Sequence, residues 1–354
     1  MKKFKVLFRV MCVLFVCCGI ISGKNEPCYA ADANKTKCKT IGILTSGGDS
    51  PGMNSVIHAV VMEAISRGIE VKGIMHGYAG LLREDISNMQ AKDVYGIVNK
   101  GGTVLYTSRS AEFRTPEGVK KAVEICKKNG IEGLIVVGGD GSFKGARDLS
   151  DSGIPCVCIP GTIDNDISSS DYTIGADTAI NTAVAMVDKI ADTNQSHNRC
   201  SVVEVMGRNC GYIALETGIS VGATSIIIPE FNFDFEKDVI EKIEKDKAMG
   251  RDNFIIIVAE GTGKSKEIAE KIEKRTGIET RLTILGYAQR GGAPSQRDRV
   301  IASKMGVYAV NLLSNRKSNR VIVVKDGKIV DFDITEALLV KKDFQSNFSN
   351  MLSE

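Results

Sequence analysis

Histidine is nearly missing from this 354-residue chain: only His58, His76 and His197 occur. A multi-histidine metal centre is thereby all but excluded. No stretch approaches the roughly 18 apolar residues of a membrane span. No internal repeat or low-complexity linker interrupts the chain, and proline is sparse at seven residues. Two phosphate-binding signatures are absent despite near misses. Gly139-Asp140-Gly141 followed by Gly145 has one residue too many for the Gly-x-Gly-x-x-Gly dinucleotide turn. Gly263-Lys264-Ser265 has the ending of a Walker A loop, but Val258 stands where that pattern needs glycine. Lys264 is therefore expected to be a solvated first-turn residue.

Glycine, in contrast, is abundant: 36 residues, about one in ten, without a collagen-like period. In a chain 43% apolar and 25% charged, this points to many tight strand–helix turns, as in α/β enzymes. At about 150 residues per domain, the length allows two domains or one with a large insertion. A chain of this size can bury a large core without disulfide or metal staples.

Charge is placed unevenly. Residues 1–39 carry eight Lys/Arg and two Asp/Glu, a net +6, against +3 for the whole chain. The remainder is thus slightly acidic, and the basic balance gives little reason to expect nucleic-acid binding. Residues 1–38 read as a secretory signal peptide. Lys2, Lys3 and Lys5 precede a short apolar run over 10–21, and Ala30, Ala31 and Ala33 follow. The alternative is a start assigned too far upstream. Five cysteines lie in this head: Cys12, Cys17, Cys18, Cys28 and Cys38. The body holds Cys126, Cys156, Cys158, Cys200 and Cys210, an odd number with no C-x-x-C pair. That pattern fits reduced core thiols, hence a cytoplasmic body without membrane attachment.

From Thr40 a rhythm begins. Apolar β-branched runs end in Gly or Asp, and amphipathic stretches follow. Strands are expected within 40–49, 68–75, 133–142, 155–166, 200–206, 224–229, 254–261 and 280–286. Helices are expected over 53–67, 116–129, 178–192, 212–219, 267–275 and 299–313. Pro116 near a helix start and Gly130 just past its end agree with capping preferences. Near-continuous apolar strands alternating with helices imply parallel sheets covered on both faces. Sites in such folds lie beyond the C-terminal ends of the strands.

Three glycine-rich turns follow strands: SGGDSPG (46–52), GGDGSFKG (138–145) and PGTIDND (160–166). Glycine permits close backbone approach, so loop N–H groups can face a phosphate, and the next helix N-terminus adds a favourable dipole. These turns also carry Asp49, Asp140, Asp164 and Asp166. Aspartates beside phosphate turns suit Mg²⁺, which takes one or two carboxylates plus phosphate oxygens. An aspartate there could equally accept the proton of an attacking hydroxyl, or simply serve the turn. Arg109, Arg199, Arg208, Arg281 and Arg290, at or just beyond expected strand ends, supply the opposite charge.

GGDGS, PGTIDND, VEVMGR and QRGG, in this order, resemble the ATP-dependent 6-phosphofructokinases of the bacterial type. The resemblance runs from about Lys39 to about Ile334. It implies an α/β fold of two doubly wound (Rossmann-like) domains facing each other across a cleft. Residues 39–174 plus 288–338 would form the large ATP-binding domain, and 175–287 plus 339–354 the smaller sugar-phosphate-binding domain. ATP and fructose 6-phosphate would become ADP and fructose 1,6-bisphosphate with Mg²⁺, the committed step of glycolysis. Carried over by motif, Asp164 would be the base on the sugar 1-hydroxyl, flanked by Thr162 and Asp166, with Asp140 as the metal-side carboxylate. Gly48, Arg109, Ser110, Asp140, Gly141, Ser142 and Gly145 would hold the nucleotide. Arg109 and Arg208 would neutralise the transferring phosphoryl group. Thr162, Ile163, Met206, Gly207, Arg208, Glu260 and Tyr287 would contact the sugar, and Arg199, Arg281 and Arg290 its 6-phosphate. In the family Arg199 and Arg281 come from a neighbouring subunit, which implies a homotetramer with shared active sites.

The donor and the effectors follow from departures within the resemblance. Pyrophosphate-using relatives carry Asp at the position of Gly141 and Lys at that of Gly161. An Asp would crowd and repel the α-phosphate of ATP, so glycine at both positions is expected to leave that space open. Tyr287 stands where many relatives have His. Arginines of the family's basic effector pocket fall on His58, Met62, Ala91 and Ala191 here, a lysine on Met249, and an acidic residue on Thr224. Only Arg251 remains basic nearby, so ADP activation and phosphoenolpyruvate inhibition are expected to be weak or absent. A lipid or NAD kinase is opposed by PGTIDND and QRGG. A catalytically silent sugar-phosphate-binding regulatory protein is opposed by the presence of Asp164, Asp140 and Arg109 together.

Overall fold

The apolar runs pair into two sheets with parallel cores. The computed structural model describes residues 38–341. The signal-like head before Cys38 and the polar tail after Lys341 lie outside the described residues. The first half of the chain contains β1 (Thr40–Ser46), α1 (Met53–Ser66), β2 (Glu70–Ile74), α2 (Gly77–Leu82), β3 (Ile86–Met89), α3 (Pro116–Lys128), β4 (Gly133–Gly138), α4 (Asp140–Asp151), β5 (Cys156–Thr162) and β6 (Ile174–Gly175). There follow α5 (Ala176–His197), β7 (Cys200–Val205), α6 (Tyr212–Ser220), β8 (Ser225–Ile227), α7 (Glu241–Ala248), β9 (Phe254–Ala259), α8 (Ser265–Thr276) and β10 (Thr280–Ile284). The chain closes with α9 (Gln296–Ser314), β11 (Arg320–Lys325), β12 (Lys328–Asp333) and α10 (Ile334–Leu339).

The larger sheet has the order β12-β11-β5-β4-β1-β2-β3, with β6 paired to β5. Its central pairs are parallel, while β3 and β12 are antiparallel edges. The smaller sheet, β10-β7-β9-β8, is parallel throughout. Every residue of β1, β4 and β9 is buried, as expected of strands covered on both faces. On the larger sheet, α1 and α9 cover one face through Met53, Val60, Met305 and Val310. The other face receives α2, α3, α4 and α10 through Leu81, Val123, Phe143 and Ala337. On the smaller sheet, α5 and α6 pack one face and α7 and α8 the other. Two doubly wound α/β layers result. The contact between α1 and α9 needs glycine, since a Cβ on Gly306 would sit 2.9 Å from that of Ala59.

Local signals behave as their chemistry dictates. The Thr115 hydroxyl accepts from the Gly118 N–H at 3.0 Å, Pro116 opens α3, and Gly130 follows its end with φ 65°. Cys126, Cys156, Cys158, Cys200 and Cys210 are buried, and Cys38 joins the core beside α1. Burial pushes the Cys126 and Cys200 thiols up to about 12, which makes them poor nucleophiles. Among the described residues no helix is long and apolar enough to cross a membrane.

Several elements depart from the sequence reading. The expected strand-and-turn over 133–142 becomes β4 followed at once by α4, because the helix starts on Asp140 despite Gly141 and Gly145 inside it. Helix α5 begins two residues before the expected 178 and runs five residues past 192. Strands β3, β6, β11 and β12 and helices α2, α7 and α10 carry too short a period to stand out.

Candidate active site

Parallel strands end on one edge, and this arrangement brings the glycine turns together. Strands β5, β4 and β1 are neighbours, so the loops after Ser46, Gly138 and Thr162 converge. They are also bonded together. The Ser142 hydroxyl donates to the Ser46 carbonyl at 3.0 Å, and the Tyr78 hydroxyl donates to the Ser142 carbonyl at 2.7 Å. A Cβ on Gly138 would lie 2.4 Å from the Ser46 carbonyl oxygen, so only glycine allows these two strand ends to meet. The Thr107 hydroxyl donates to the Gly47 carbonyl at 2.9 Å, which fixes the segment bearing Arg109 and Ser110 beside the first loop.

These loops form one wall of a cleft of about 610 Å³. Of the expected residues it gathers Gly48, Arg109, Ser110, Asp140, Gly141, Ser142, Gly145, Thr162, Ile163, Asp164, Asp166, Arg208 and Arg290. From the strand ends of the smaller sheet only Arg208 lines this cleft; Met206, Gly207 and Glu260 stand behind it, outside the lining. After β7, Gly207 (φ 137°) and Arg208 (φ 55°) turn sharply, and Glu260 after β9 accepts their N–H groups at 3.2 and 2.8 Å. The buried Gln289 accepts from the Met206 N–H at 3.2 Å. A Cβ on Gly261 would lie 2.1 Å from the Arg208 carbonyl oxygen. The turn 206–208 is thus clamped from two sides while the Arg208 side chain, 63% exposed, reaches across the cleft.

Asp164 lies at the floor of the cleft and is only 4% exposed. Its Oδ1 has no hydrogen-bond partner, and its Oδ2 is 4.0 Å from Arg208 Nε. Burial, with repulsion from Asp166 second, pushes the Asp164 carboxyl up to about 6, against the attraction of Arg208 and Arg290. Asp140 and Asp166 are raised as well, chiefly by burial. Between the two aspartates of PGTIDND, buried Asn165 adopts φ 51°, and its side-chain amide donates to the Asp171 carbonyl at 3.3 Å. This left-handed residue lets Asp164 and Asp166 both face the cleft.

The donor set fits magnesium carried by a polyphosphate. Among the described residues no three acidic, cysteine or histidine side chains form a metal cage of their own. Asp140, raised by burial and then by the charge of Asp166, and Asp166, raised by burial, offer the one or two carboxylates that such an ion takes.

Some expected residues lie elsewhere. Arg199 and Arg281 stand at the starts of β7 and β10, the far end from the cleft of their own chain, and both pair with Glu279. Their expected place after strand ends is corrected accordingly. Tyr287 is 77% exposed and stacks under Arg290, whose guanidinium lies 5.3 Å from its ring centre. Gly161 does not face open space, since its Cβ would meet Val137 at 3.0 Å and Met53 at 3.2 Å. Gly141 does, with nothing within 4 Å. Lys264 lies over the Phe233 ring at 5.5 Å, away from the phosphate loops. The sequence reading missed Tyr78, Phe113, Arg114, Lys144 and Asp148, which line the cleft beside α4. Lys144 lies inside GGDGSFKG, where a cation one turn into the helix was a usable signal. Tyr78 and Phe113, stacked at 3.9 Å, come from separate segments with no local mark.

Comparison with known proteins decides the family. Residues 40–313 match the family described as Phosphofructokinase. The chain belongs to the phosphofructokinase family. It is 53% identical over 306 residues to an ATP-dependent 6-phosphofructokinase of Clostridium tetani, covering 86% of this chain and 96% of that protein. It is 51% identical to an ATP-dependent 6-phosphofructokinase of Bacillus thuringiensis, covering 89% and 99%. Among solved structures, phosphofructokinase from Saccharomyces cerevisiae superposes with a TM-score of 0.79 at 35% identity. That match covers 88% of this chain, which spans about half (47%) of the yeast chain. A pyrophosphate-dependent phosphofructokinase from Marinobacter aquaeolei, at 21% identity and TM-score 0.77, covers 86% of this chain and 85% of its own and shares the fold.

Proposed function

We propose that this chain transfers the terminal phosphoryl group of ATP to the 1-hydroxyl of fructose 6-phosphate, giving ADP and fructose 1,6-bisphosphate. The observation that carries the reading is Asp164: a buried carboxylate with an unpartnered oxygen, opposite Arg208 and beside the phosphate loops. Asp164 Oδ1 takes the hydroxyl proton as the oxygen–phosphorus bond forms and the bond to the ADP oxygen breaks. A carboxyl raised to about 6 is still ionised at pH 7 and is a better base than an ordinary aspartate. Arg208, whose backbone is tethered by Glu260, offers charge to the transferring phosphoryl group from the sugar side, and Arg109 does so from the nucleotide side. The first N–H groups of α4 receive the polyphosphate. Magnesium, when bound, neutralises phosphate charge, with Asp140 and Asp166 as its protein carboxylates.

The open space at Gly141 supports ATP as donor, as do two relatives named ATP-dependent at about half identity. We read 39–174 plus 288–338 as the ATP-binding part and 175–287 plus 339–354 as the sugar-phosphate part. The placement of Arg199 and Arg281 at the far strand ends supports their service to a neighbouring copy, hence a homotetramer with shared sites. A cytoplasmic body agrees with the six buried cysteines among the described residues. The test is a coupled assay of the full chain with fructose 6-phosphate and Mg²⁺, comparing ATP with pyrophosphate and using Asp164→Asn as control. Turnover with ATP that the control loses is the expected result. Turnover only with pyrophosphate overturns the donor, and no turnover with either overturns the reading.

A further inference from the structure

One buried carboxylate outside the cleft binds the segments that build it. Asp298, in the first turn of α9, is 0% exposed. Its Oδ1 accepts from the Gly175 N–H at 2.7 Å and the Tyr172 hydroxyl at 2.5 Å. Its Oδ2 accepts from the Thr178 N–H at 2.9 Å, the Thr178 hydroxyl at 2.5 Å and, at 3.5 Å, the Ser295 hydroxyl. Thr178 in turn accepts from the Ser295 N–H at 2.9 Å. Two of these donors are backbone N–H groups, which cannot reverse, so the site demands an acceptor on both oxygens.

The position of this hub matters more than its bond count. Residues 172–178 leave the larger sheet for the smaller one, and α9 opens where the chain has returned. Gly175 is also the register partner of Thr162 in the short β5–β6 pairing, and the Thr173 hydroxyl donates to the Thr162 carbonyl at 2.7 Å. The Thr162 hydroxyl accepts from the Asp164 N–H at 3.2 Å. Asp298 thus holds the 172–178 segment at Gly175, and that segment reaches Thr162, and through it Asp164, by the β5–β6 pairing and the Thr173 hydroxyl. The hub meets the first phosphate loop as well, since a Cβ on Gly52 would lie 3.6 Å from that of Asp298, and one on Gly175 would lie 2.6 Å from that of Ser50.

We propose that Asp298 is a positioning residue for phosphoryl transfer, holding the 162–178 segment so that Asp164 stands at the attacking hydroxyl. The inference rests on the phosphofructokinase reading. A base displaced by about 1 Å costs up to about 100-fold in rate while the nucleotide still binds the loops after β1 and β4. A purely structural role would lower stability and leave turnover per folded site intact.

The experiment uses the full chain with ATP, fructose 6-phosphate and Mg²⁺. It compares wild type, Asp298→Asn, Thr178→Val and Thr178→Ser, with kcat referred to folded protein and melting followed in parallel. Asp298→Asn turns an amide NH₂ toward a fixed N–H donor; kcat is expected to fall about 10- to 100-fold with the ATP KM within about threefold. Thr178→Val is expected to lose about 5- to 20-fold in kcat, and Thr178→Ser, which keeps the hydroxyl, to recover most of it. If Asp298→Asn does not fold, the Thr178 pair decides. Wild-type kcat in Thr178→Val, or in folded Asp298→Asn, overturns the inference whatever the melting shift. A wild-type chain silent with both donors overturns the phosphofructokinase reading, and this inference with it.

Discussion

Removing the charge of Asp164 should stabilise the protein while it destroys turnover. The native carboxyl is raised to about 6 from an ordinary 3.8, with burial as the main cause. The native state therefore holds its proton more tightly than the unfolded chain, and stability falls as pH rises between those two values. From that shift, the charged form costs about 3 kcal/mol at pH 8 and about 1 kcal/mol at pH 4.5. Asp164→Asn removes the cost at nearly constant shape, so its gain over wild type should grow by about 2 kcal/mol between those pH values. In melting temperature that is a difference of roughly 3 °C for a chain of this length. The assay is thermal unfolding of both chains in EDTA without substrates, at pH 4.5 and pH 8, beside turnover at pH 7.5. Turnover should fall about 100- to 10,000-fold, the usual weight of a lost general base. A variant no more stable than wild type at pH 8, or one with the same gain at both pH values, would refute the view that burial raises the Asp164 carboxyl in the free site.

Gly141→Asp should raise the ATP KM at least tenfold, because its carboxylate would enter the open space at the start of α4; unchanged ATP kinetics sink the donor argument. Mixing an Arg281→Ala chain with an Asp164→Asn chain, each inactive alone, should restore part of the activity if sites are shared; no recovery in mixed oligomers rules sharing out. Millimolar phosphoenolpyruvate should hardly move the fructose 6-phosphate saturation curve. Arg251 is already held by Asp246 at 2.9 Å, and Asp246 also accepts from the Thr224 hydroxyl at 3.0 Å. A large shift that Arg251→Ala abolishes would reverse that expectation.

The parts of this fold that were legible are those with a strong period. Strand β9, FIIIVA, is apolar without a break because both faces are covered, and β7 is interrupted only by Ser201 and Glu204. The illegible parts are short or locally contradictory. Helix α4 begins on a glycine-rich phosphate turn, so the loop signal masks the helix it opens. The β11–β12 hairpin holds the loop after β5 from behind: Lys325 Nζ reaches Asp171 at 3.0 Å, and the Val324 N–H donates to Ser170 at 3.0 Å. No local pattern in 320–333 announces that task, because it depends on a partner about 150 positions earlier.

The site divides along the same line. Asp164, Asp166, Gly141 and Ser142 lie in contiguous motifs, where chemistry and chain order coincide, and the cleft gathers them. Arg199 and Arg281 carry the right charge, but they stand at the starts of the expected strands 200–206 and 280–286, the ends that turn away from the site. Strand direction decides it: β7 starts next to Arg199 and ends next to Met206, so the two cannot serve one cleft from one chain. At about 3.3 Å per residue the six residues of β7 separate them by about 20 Å. Either a second copy brings its arginines to this cleft, or Arg290 alone holds the sugar phosphate. Arg290 has a buried Nε without a partner and lies only 4.0 Å from Asp49, whose charge opposes an incoming phosphate. A lone guanidinium shared with a carboxylate is a weak anchor for a dianion, and that imbalance is the strongest physical argument for an oligomeric site.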